Sequence, residues 1–274
     1  MLKGLNEILK TAEEKNCAIG SFNTPNLESI RAVIEAAEEL EQPVILMHAQ
    51  VHEEMNLCKI NEIGPIMLFM AERASVPVCV HLDHGTDIEY LKKGLEIGFN
   101  SVMYDGSMLS TEENYENTCI AVETAKKYNA CVEAEVGSMG TREGGEEGKS
   151  IYTDPEAALD FVKKTGIDAL ACAFGTAHGM YLTEPKLDFE RVSMIKSLVN
   201  IPMVMHGGSG VSTADYKEVI RRGIRKINYY TYMSKAGGEA ISNKCYAQFH
   251  DAVTDAVSAM KADVSKAIKT FSML

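Results

Sequence analysis

The feature that most constrains the fold is a regular alternation of short apolar runs with longer amphipathic stretches. Eight runs have the length and composition of buried strands, and they are Ala18–Asn23, Pro43–Ala49, Val76–His84, Ser101–Gly106, Ala130–Gly137, Ala169–Gly175, Pro202–Gly208 and Lys226–Thr231. The stretches between them have helical periodicity, and they are Leu27–Leu40, Ile63–Ala74, Asp87–Gly98, Glu112–Tyr128, Pro155–Thr165, Phe189–Leu198 and Thr213–Gly223. Because parallel strands need a helical crossover, this alternation predicts an α/β fold, a closed (β/α)8 TIM barrel, with a doubly wound open sheet as the alternative.

Length and punctuation predict one domain. The 274 residues are 46% hydrophobic, which suits one barrel core, and no charge-rich linker or low-complexity tract divides residues 1–274. Gly98, Gly166 and Gly223 follow helical stretches, where left-handed caps are expected. The segment from about Ala236 to Phe271 is predicted to be a helical extension on the outside of the barrel.

Charge and cysteine content exclude several classes of function. A net charge of −12 and a pI of about 5.1 argue against nucleic acid as the partner, because phosphate backbones need clustered Lys and Arg. The seven cysteines are odd in number and form no CxxC pair, so reduced cysteines are expected. No apolar stretch approaches the length that spans a membrane. A cytoplasmic protein with no membrane or nucleic-acid partner is therefore predicted.

Three of the seven histidines lie where different strands end. His84 closes the motif His81-Leu-Asp-His84, His178 follows the sixth strand, and His206 closes the seventh. In this fold, function is built at the carboxyl ends of the strands. Imidazole is a common zinc ligand, and three protein ligands with one open position are typical of catalytic zinc. The pattern predicts a catalytic metal site.

Glycines next to two of these histidines indicate a phosphate site. Gly179 follows His178, and Gly207-Gly208-Ser209 follows His206 and leads to a helix N-terminus. Exposed backbone N–H groups at such positions suit an anion. Asn228 and Thr231, at the end of the eighth strand, contribute further polar groups to this rim.

Four carboxylates complete the rim: Asp83, Asp105, Glu133 and Glu135. Alternation along the fifth strand gives Glu133 and Glu135 the same facing, and burying both is costly unless they are paired, protonated or metal-bound. For each acid a structural salt bridge remains an alternative to a role in chemistry. Asp83 is the strongest candidate, since it precedes a predicted ligand.

In order along the chain, these motifs resemble the class II fructose- and tagatose-bisphosphate aldolases. The resemblance covers about Gly20 to Phe271 and rests on His81-Leu-Asp-His84, Ser101-Val-Met-Tyr-Asp105-Gly-Ser, Glu133-Ala-Glu-Val-Gly137, His178-Gly-Met-Tyr181, His206-Gly-Gly-Ser-Gly210, and Lys226-Ile-Asn228 to Thr231. It implies catalytic zinc (Zn2+) on His84, His178 and His206, a nearby monovalent cation (Na+ or K+), and a homodimer or homotetramer. It implies Asp83 as the acid/base at the C4 oxygen, and Asp105 and Glu135 as supporting or alternative metal carboxylates. The implied dihydroxyacetone phosphate site comprises Gly179, Gly207, Gly208, Ser209, Asn228, Tyr229, Tyr230 and Thr231.

The expected chemistry is retro-aldol cleavage of a ketose phosphate to dihydroxyacetone phosphate and an aldehyde. Zinc would act as the Lewis acid that stabilises the enediolate, and a mobile acid from the glycine-rich loop Gly137–Gly148 would reprotonate the carbanion. The candidates for that acid are Glu143, Glu146 and Glu147, with Glu146 and Glu147 in the motif that matches the family. A Schiff-base route needs a lysine inside the barrel. The only strand lysine, Lys226, is predicted to lie at the opposite end of the eighth strand.

Departures from the family pattern bear on the substrate. Ala49 replaces a serine that contacts substrate, Tyr232 replaces an acid, and Val257 aligns with an arginine that binds the distal phosphate. His48 and His52 have no family counterpart and are predicted to lie on the surface, with contact to the substrate as the alternative. A ketose 1-phosphate is therefore favoured. A bisphosphate-specific aldolase, a metal-dependent barrel hydrolase and a non-catalytic accessory subunit of a sugar-bisphosphate aldolase are the alternatives.

Overall fold

Eight parallel strands close into a barrel in the computed structural model, which describes residues 1–137, 140–141, 151–180 and 184–274. The strands are β1 (Ile19–Asn23), β2 (Val44–Ala49), β3 (Val78–Gly85), β4 (Ser101–Tyr104), β5 (Cys131–Val136), β6 (Gly140–Thr141), β7 (Ala169–Cys172), β8 (Ala177–His178), β9 (Met203–Met205) and β10 (Ile224–Tyr229). The barrel order is β1-β10-β9-β7-β5-β4-β3-β2, and β6 pairs with β8 in a separate two-stranded sheet of the described residues. The predicted (β/α)8 barrel is confirmed, and the open-sheet alternative is wrong.

Helices alternate with the strands and cover the barrel. They are α1 (Leu5–Lys15), α2 (Leu27–Leu40), α3 (Gln50–Glu54), α4 (Ile60–Arg73), α5 (Ile88–Ile97), α6 (Thr111–Lys126), α7 (Pro155–Thr165), α8 (Phe189–Leu198), α9 (Thr213–Arg221), α10 (Thr231–Ser242) and α11 (Phe249–Phe271). The glycine caps are as expected, because Gly98, Gly166 and Gly223 all have positive φ. In the described parts of the chain, no helix has the length and apolarity needed to span a membrane.

The predicted boundaries are least accurate where strands end. Thr231 was predicted to end the eighth strand, but it begins α10, and Tyr230 precedes that helix with non-strand backbone angles. The strand predicted as Pro202–Gly208 is β9, and it ends at Met205, because Gly207 takes a left-handed conformation that does not continue the strand pairing. The predicted C-terminal helical segment is two helices, α10 and α11. Helices α1 and α3 were not predicted.

Helix α1 closes the amino-terminal end of the barrel. Its buried residues Leu5, Ile8 and Leu9 pack with inward-facing strand residues such as Ile45 and Cys79. The chain before it bonds to the start of β3, where Lys3 N donates to Val78 O at 2.9 Å. Since apolar side chains fill this end, the polar residues concentrate at the carboxyl ends of the strands.

Candidate metal centre and active site

The end of β3 brings two consecutive residues, Asp83 and His84, into the same cavity. Strict alternation would turn His84 outward with Leu82, which packs in the outer layer of the core. His84 instead has φ +45°, and the pairing of β3 with β4 shifts register between Leu82 and Gly85. A left-handed residue other than glycine costs about 1–2 kcal/mol, so this turn is held by the surrounding contacts.

The three predicted histidine ligands converge. The ring centre of His84 lies 4.5 Å from that of His206 and 4.8 Å from that of His178. One possible ligand atom from each of the three lies within 4.8 Å of the other two. A second set, His84 with Asp105 and Glu135, meets the same limit and shares His84. Two overlapping sets of donors therefore surround one small region.

Hydrogen bonds orient the two closest rings for a cation. Asp105 Oδ2 lies 2.6 Å from His84 Nδ1, and Glu133 Oε1 lies 2.7 Å from His206 Nε2. Because each carboxylate accepts the N–H on its side, the lone pairs of His84 Nε2 and His206 Nδ1 face each other at 2.7 Å. Two such lone pairs repel unless a proton or a cation lies between them. A proton shared by the two nitrogens satisfies this pair at 2.7 Å, and the donor types present, imidazole and carboxylate, fit a divalent metal ion that would take its place.

The charges of the pocket act in opposite directions on these rings. Burial opposes protonation of His84, but the charge of Asp83 and the hydrogen bond to Asp105 outweigh it and raise its pKa to about 10. Burial lowers the pKa of His178 to about 3, and the neighbouring His84 and His206 act in the same direction. The carboxylates thus attract one positive charge to His84, which a metal ion would displace.

Asp83 is held beside the histidines by two amides. Asn23 Nδ2 donates to Asp83 Oδ2 at 3.0 Å, and Asn228 Nδ2 donates to Oδ1 at 2.9 Å. Burial alone would raise the pKa of Asp83, but the charges of His84, His206 and Lys226 outweigh it and lower the pKa. The carboxylate is therefore ionised and oriented, as a proton acceptor needs to be. The partner Asn23 was missed from the sequence, although it ends β1 on the same rim.

A cavity of about 400 Å³ opens above these groups. It is lined by Asp83, His84, His178, Asp105 and Glu135. Its wall also includes the whole predicted phosphate set, which is Gly179, Gly207, Gly208, Ser209, Asn228, Tyr229, Tyr230 and Thr231.

Comparison with known proteins agrees with this geometry. The family model of class-II fructose-bisphosphate aldolase matches residues 3–273. The chain belongs to the class II fructose-bisphosphate aldolase family. It is therefore an aldolase, a lyase that acts on small phosphorylated sugars, and members of this family generally depend on a metal ion.

Three solved structures place this aldolase among its relatives. The YdjI aldolase from Escherichia coli K12 is 34% identical, with a TM-score of 0.89, 99% of this chain covered and 97% of the other. A Coccidioides immitis protein assigned as a fructose-1,6-bisphosphate aldolase is 28% identical, with a TM-score of 0.89 and coverages of 97% and 95%. Fructose-bisphosphate aldolase from Campylobacter jejuni, 23% identical with a TM-score of 0.78 and coverages of 98% and 95%, shares the fold.

The barrel interior of the aldolase contains a buried ion pair that corrects one prediction. Lys226 is the third residue of β10 and fully buried, so it does not lie at the outer end of the strand. Its Nζ lies 2.9 Å from Glu133 Oε2 and donates to Asn228 Oδ1 at 2.7 Å. The Schiff-base route is still disfavoured, but for a different reason. The Lys226 amine is ion-paired with the carboxylate of Glu133, and Lys226 is not among the described residues that line the cavity.

Glu133 connects this ion pair to a predicted metal ligand, so it is a sensitive test of the metal site. We expect Glu133→Gln to weaken zinc binding about 10–100-fold, because it loses the charge that orients His206 and leaves Lys226 without a counter-ion. Competition with a chromophoric chelator measures the affinity. The exposed, ion-paired Glu123 provides the control, Glu123→Gln. Equal zinc affinity in both variants would contradict the assignment.

His48 and His52 were predicted to lie on the surface, which is wrong, since they are 0% and 4% exposed. His48 lies inside β2, whose six residues are all buried, and His52 lies on α3, where packing against Tyr230 covers it. Glu143, Glu146 and Glu147, the candidate loop acids, lie outside the described residues.

Proposed function

We propose that this protein is a zinc-dependent aldolase that reversibly cleaves a ketose 1-phosphate to dihydroxyacetone phosphate and an unphosphorylated aldehyde. The observation that carries the proposal is that three histidines converge within ligand distance of one another, two of them at the cavity that the amide-held carboxylate of Asp83 also lines. Family membership supports aldol chemistry, and the donor set supports the metal. The aldolase would work in the cytoplasm as a homodimer or homotetramer of one-domain chains, as its composition and family suggest.

In this proposal His84, His178 and His206 hold the zinc, and Asp105 and Glu135 support it or bind it in a second position. When bound, zinc supplies a Lewis acid that takes up negative charge from the ketose oxygens. Three nitrogen ligands with an open position are the arrangement expected of catalytic zinc. A monovalent cation near the phosphate is carried over from the family.

Asp83 moves the proton of the reaction. As the C3–C4 bond breaks, its carboxylate accepts the proton of the C4 hydroxyl, and the C4 oxygen becomes the aldehyde carbonyl. The bonding electron pair stays with the dihydroxyacetone phosphate half. That carbon then takes a proton from a loop acid, for which Glu143, Glu146 and Glu147 are the candidates, the last two in the motif that matches the family. Asn23 and Asn228 keep both Asp83 oxygens in position.

Backbone groups are the proposed phosphate ligands. Gly207 has φ +60°, and a Cβ there would lie 2.4 Å from Ala177 O, so only glycine fits this turn. Helix α10 begins at Thr231 without a side-chain cap, which leaves its first N–H groups for a ligand. Ser209 lies beside it, where its Oγ accepts from Tyr230 N at 3.0 Å.

The remainder of the cavity is unsuited to a second phosphate. Among the residues that the structure describes, no Lys or Arg lines it, whereas Asp83, Asp105, Glu135 and Glu54 do. Val257, which aligns with the family's arginine, is 4% exposed and packs in the core. A distal dianion would meet negative charge without a charge-assisted partner.

A substrate panel tests this. We expect kcat/KM for aldol cleavage of at least one ketose 1-phosphate to exceed that for fructose and tagatose 1,6-bisphosphates by roughly tenfold or more, the value of one Arg–phosphate contact. The panel should include epimers at C4. Bisphosphate cleavage well above every monophosphate would contradict the substrate, and the absence of any cleavage would favour an accessory subunit.

A further inference from the structure

The wall of the cavity that follows β2 contains a polar group that the proposed chemistry does not use. His52 lies on the short helix α3, lines the cavity and is 4% exposed. Its Nδ1 is buried and has no hydrogen-bond partner in the described part of the chain. An unsatisfied buried polar group costs about 1–3 kcal/mol, so a cavity-lining ring that carries one would be stabilised by turning that nitrogen toward a partner that arrives with the ligand.

Neighbouring rings hold this imidazole in place. Its centre lies 5.4 Å from the ring of Tyr230 and 6.0 Å from that of His48. A half-turn of the ring about its Cβ–Cγ bond interchanges Nδ1 and Cδ2, so the nitrogen can face whichever side offers a partner. The ring can therefore keep its position while its nitrogen points to either side.

The adjacent His48, in contrast, has a hydrogen-bond partner. His48 Nε2 lies 2.9 Å from Tyr90 Oη, and that hydroxyl donates to Glu53 Oε2 at 2.9 Å. Lys93 Nζ lies 3.3 Å from the other oxygen of Glu53. His48 is thus hydrogen-bonded to Tyr90 and is absent from the described lining of the cavity. Of the two histidines, only His52 faces the ligand space.

The environment of His52 suits an uncharged ligand group. Burial lowers its pKa, and the charge of Asp83, which acts in the opposite direction, does not overcome it. A neutral imidazole offers one N–H donor and one acceptor, which match a hydroxyl. The carboxylates on the cavity wall disfavour an anion at this place.

We infer that His52 is a specificity-determining residue whose imidazole hydrogen-bonds a hydroxyl on the aldehyde half of the substrate, an uncharged polyhydroxy aldehyde. The inference rests on the proposed function, because it assumes that the dihydroxyacetone phosphate half binds to the predicted phosphate set and to the metal. Outside the predicted phosphate set, the cavity lining includes Gln50, Val51 and Glu54 of α3, and the inference assigns the other half of the substrate to that side.

The test uses the condensation direction with three-carbon aldehydes that differ in hydroxyl number. Dihydroxyacetone phosphate is combined with glyceraldehyde, lactaldehyde or propanal, and with glyceraldehyde 3-phosphate as the charged comparison. His52→Phe keeps a planar ring against Tyr230 but removes both nitrogens. His52→Asn restores a polar group near the position of Nδ1. The exposed His250 gives the matched control His250→Asn.

In the wild-type enzyme we expect glyceraldehyde to be preferred over propanal. In His52→Phe this ratio of kcat/KM values should fall roughly tenfold, the value of one hydrogen bond in a desolvated site. Differences in intrinsic aldehyde reactivity cancel, because the ratio is compared between variants. His52→Asn should recover part of the preference, and His250→Asn should match the wild type.

Exchange of the dihydroxyacetone phosphate proton with deuterated water separates this inference from the proposed function. The exchange reports the metal and phosphate half alone, so His52→Phe should retain it within about twofold. If the wild type shows neither exchange nor condensation, the proposed function fails and this inference with it. If both are present and His52→Phe keeps the wild-type ratio, only this inference is overturned. If glyceraldehyde 3-phosphate is the best acceptor, the inference fails together with the unphosphorylated aldehyde of the proposed function, while the aldolase chemistry stands.

Discussion

Replacing Asp83 with alanine is expected to lower kcat for aldol cleavage about 10²–10⁴-fold while one zinc per chain remains bound. The carboxylate is the proposed acceptor of the C4 hydroxyl proton, and it is not part of either cluster of possible metal ligands among the described residues. Steady-state kinetics and metal analysis of the same sample measure both effects. Exchange of the dihydroxyacetone phosphate proton should survive, because that proton is assigned to a loop acid.

Two controls make the Asp83 result interpretable. Asp83→Asn keeps the volume, and its loss of rate should be similar, since an amide cannot accept the proton. Asp160→Ala removes an exposed carboxylate that pairs with Lys164, and it should leave the rate unchanged. Thermal unfolding would reveal whether the amides of Asn23 and Asn228, left without their acceptor, destabilise the fold. A variant lacking Asp83 that cleaves at the full rate would overturn the assignment.

Removing the metal is expected to reduce cleavage by roughly 10³-fold or more, because the developing charge on oxygen then has no Lewis acid. Zinc should restore the rate. Rebinding should release protons near neutral pH, since the pKa of His84 is raised to about 10 and the ring must lose its proton to bind metal. The affinity for zinc should therefore fall as the pH falls. Calorimetry in two buffers with different ionisation enthalpies counts the protons.

Matched histidine variants test where the metal binds. His178→Ala should lose most zinc affinity and activity, whereas the exposed His250→Ala should lose neither. Full activity after exhaustive chelation, or tight zinc binding by His178→Ala, would contradict the three-histidine site.

The sequence predicted the region of the site well because the fold imposes it. In a parallel barrel all strands end on one rim, so polar residues at strand ends must meet there wherever they lie in the chain. His84, His178 and His206 come from three separate elements and still approach within ligand distance. The eight predicted phosphate-site residues likewise line one cavity. Their roles stay predictions, but their convergence could be foreseen.

Residues whose position depends on packing could not be foreseen. His52 follows no pattern that marks a buried position, whereas His48 lies in a run typical of a buried strand and was still assigned to the surface. Their partners, Tyr230 and Tyr90, come from distant parts of the chain. Lys226 was assigned to the wrong place because the start of β10 was misjudged by two residues, and its charge is tolerated only because Glu133 faces it across the barrel. The sequence around Lys226 does not indicate that Glu133 is its partner.

The amino-acid sequence by itself determined the alternation of strands and helices, the closed barrel and the chemical types gathered on its rim, because periodicity and strand direction are local properties. The tertiary structure decided which side chains in that rim are oriented, paired or left unsatisfied. The left-handed turn at His84, the amides that hold Asp83 and the unpaired nitrogen of His52 all depend on contacts between elements far apart in the chain. Hydrogen bonding and burial are properties of a three-dimensional neighbourhood, which no single stretch of sequence specifies.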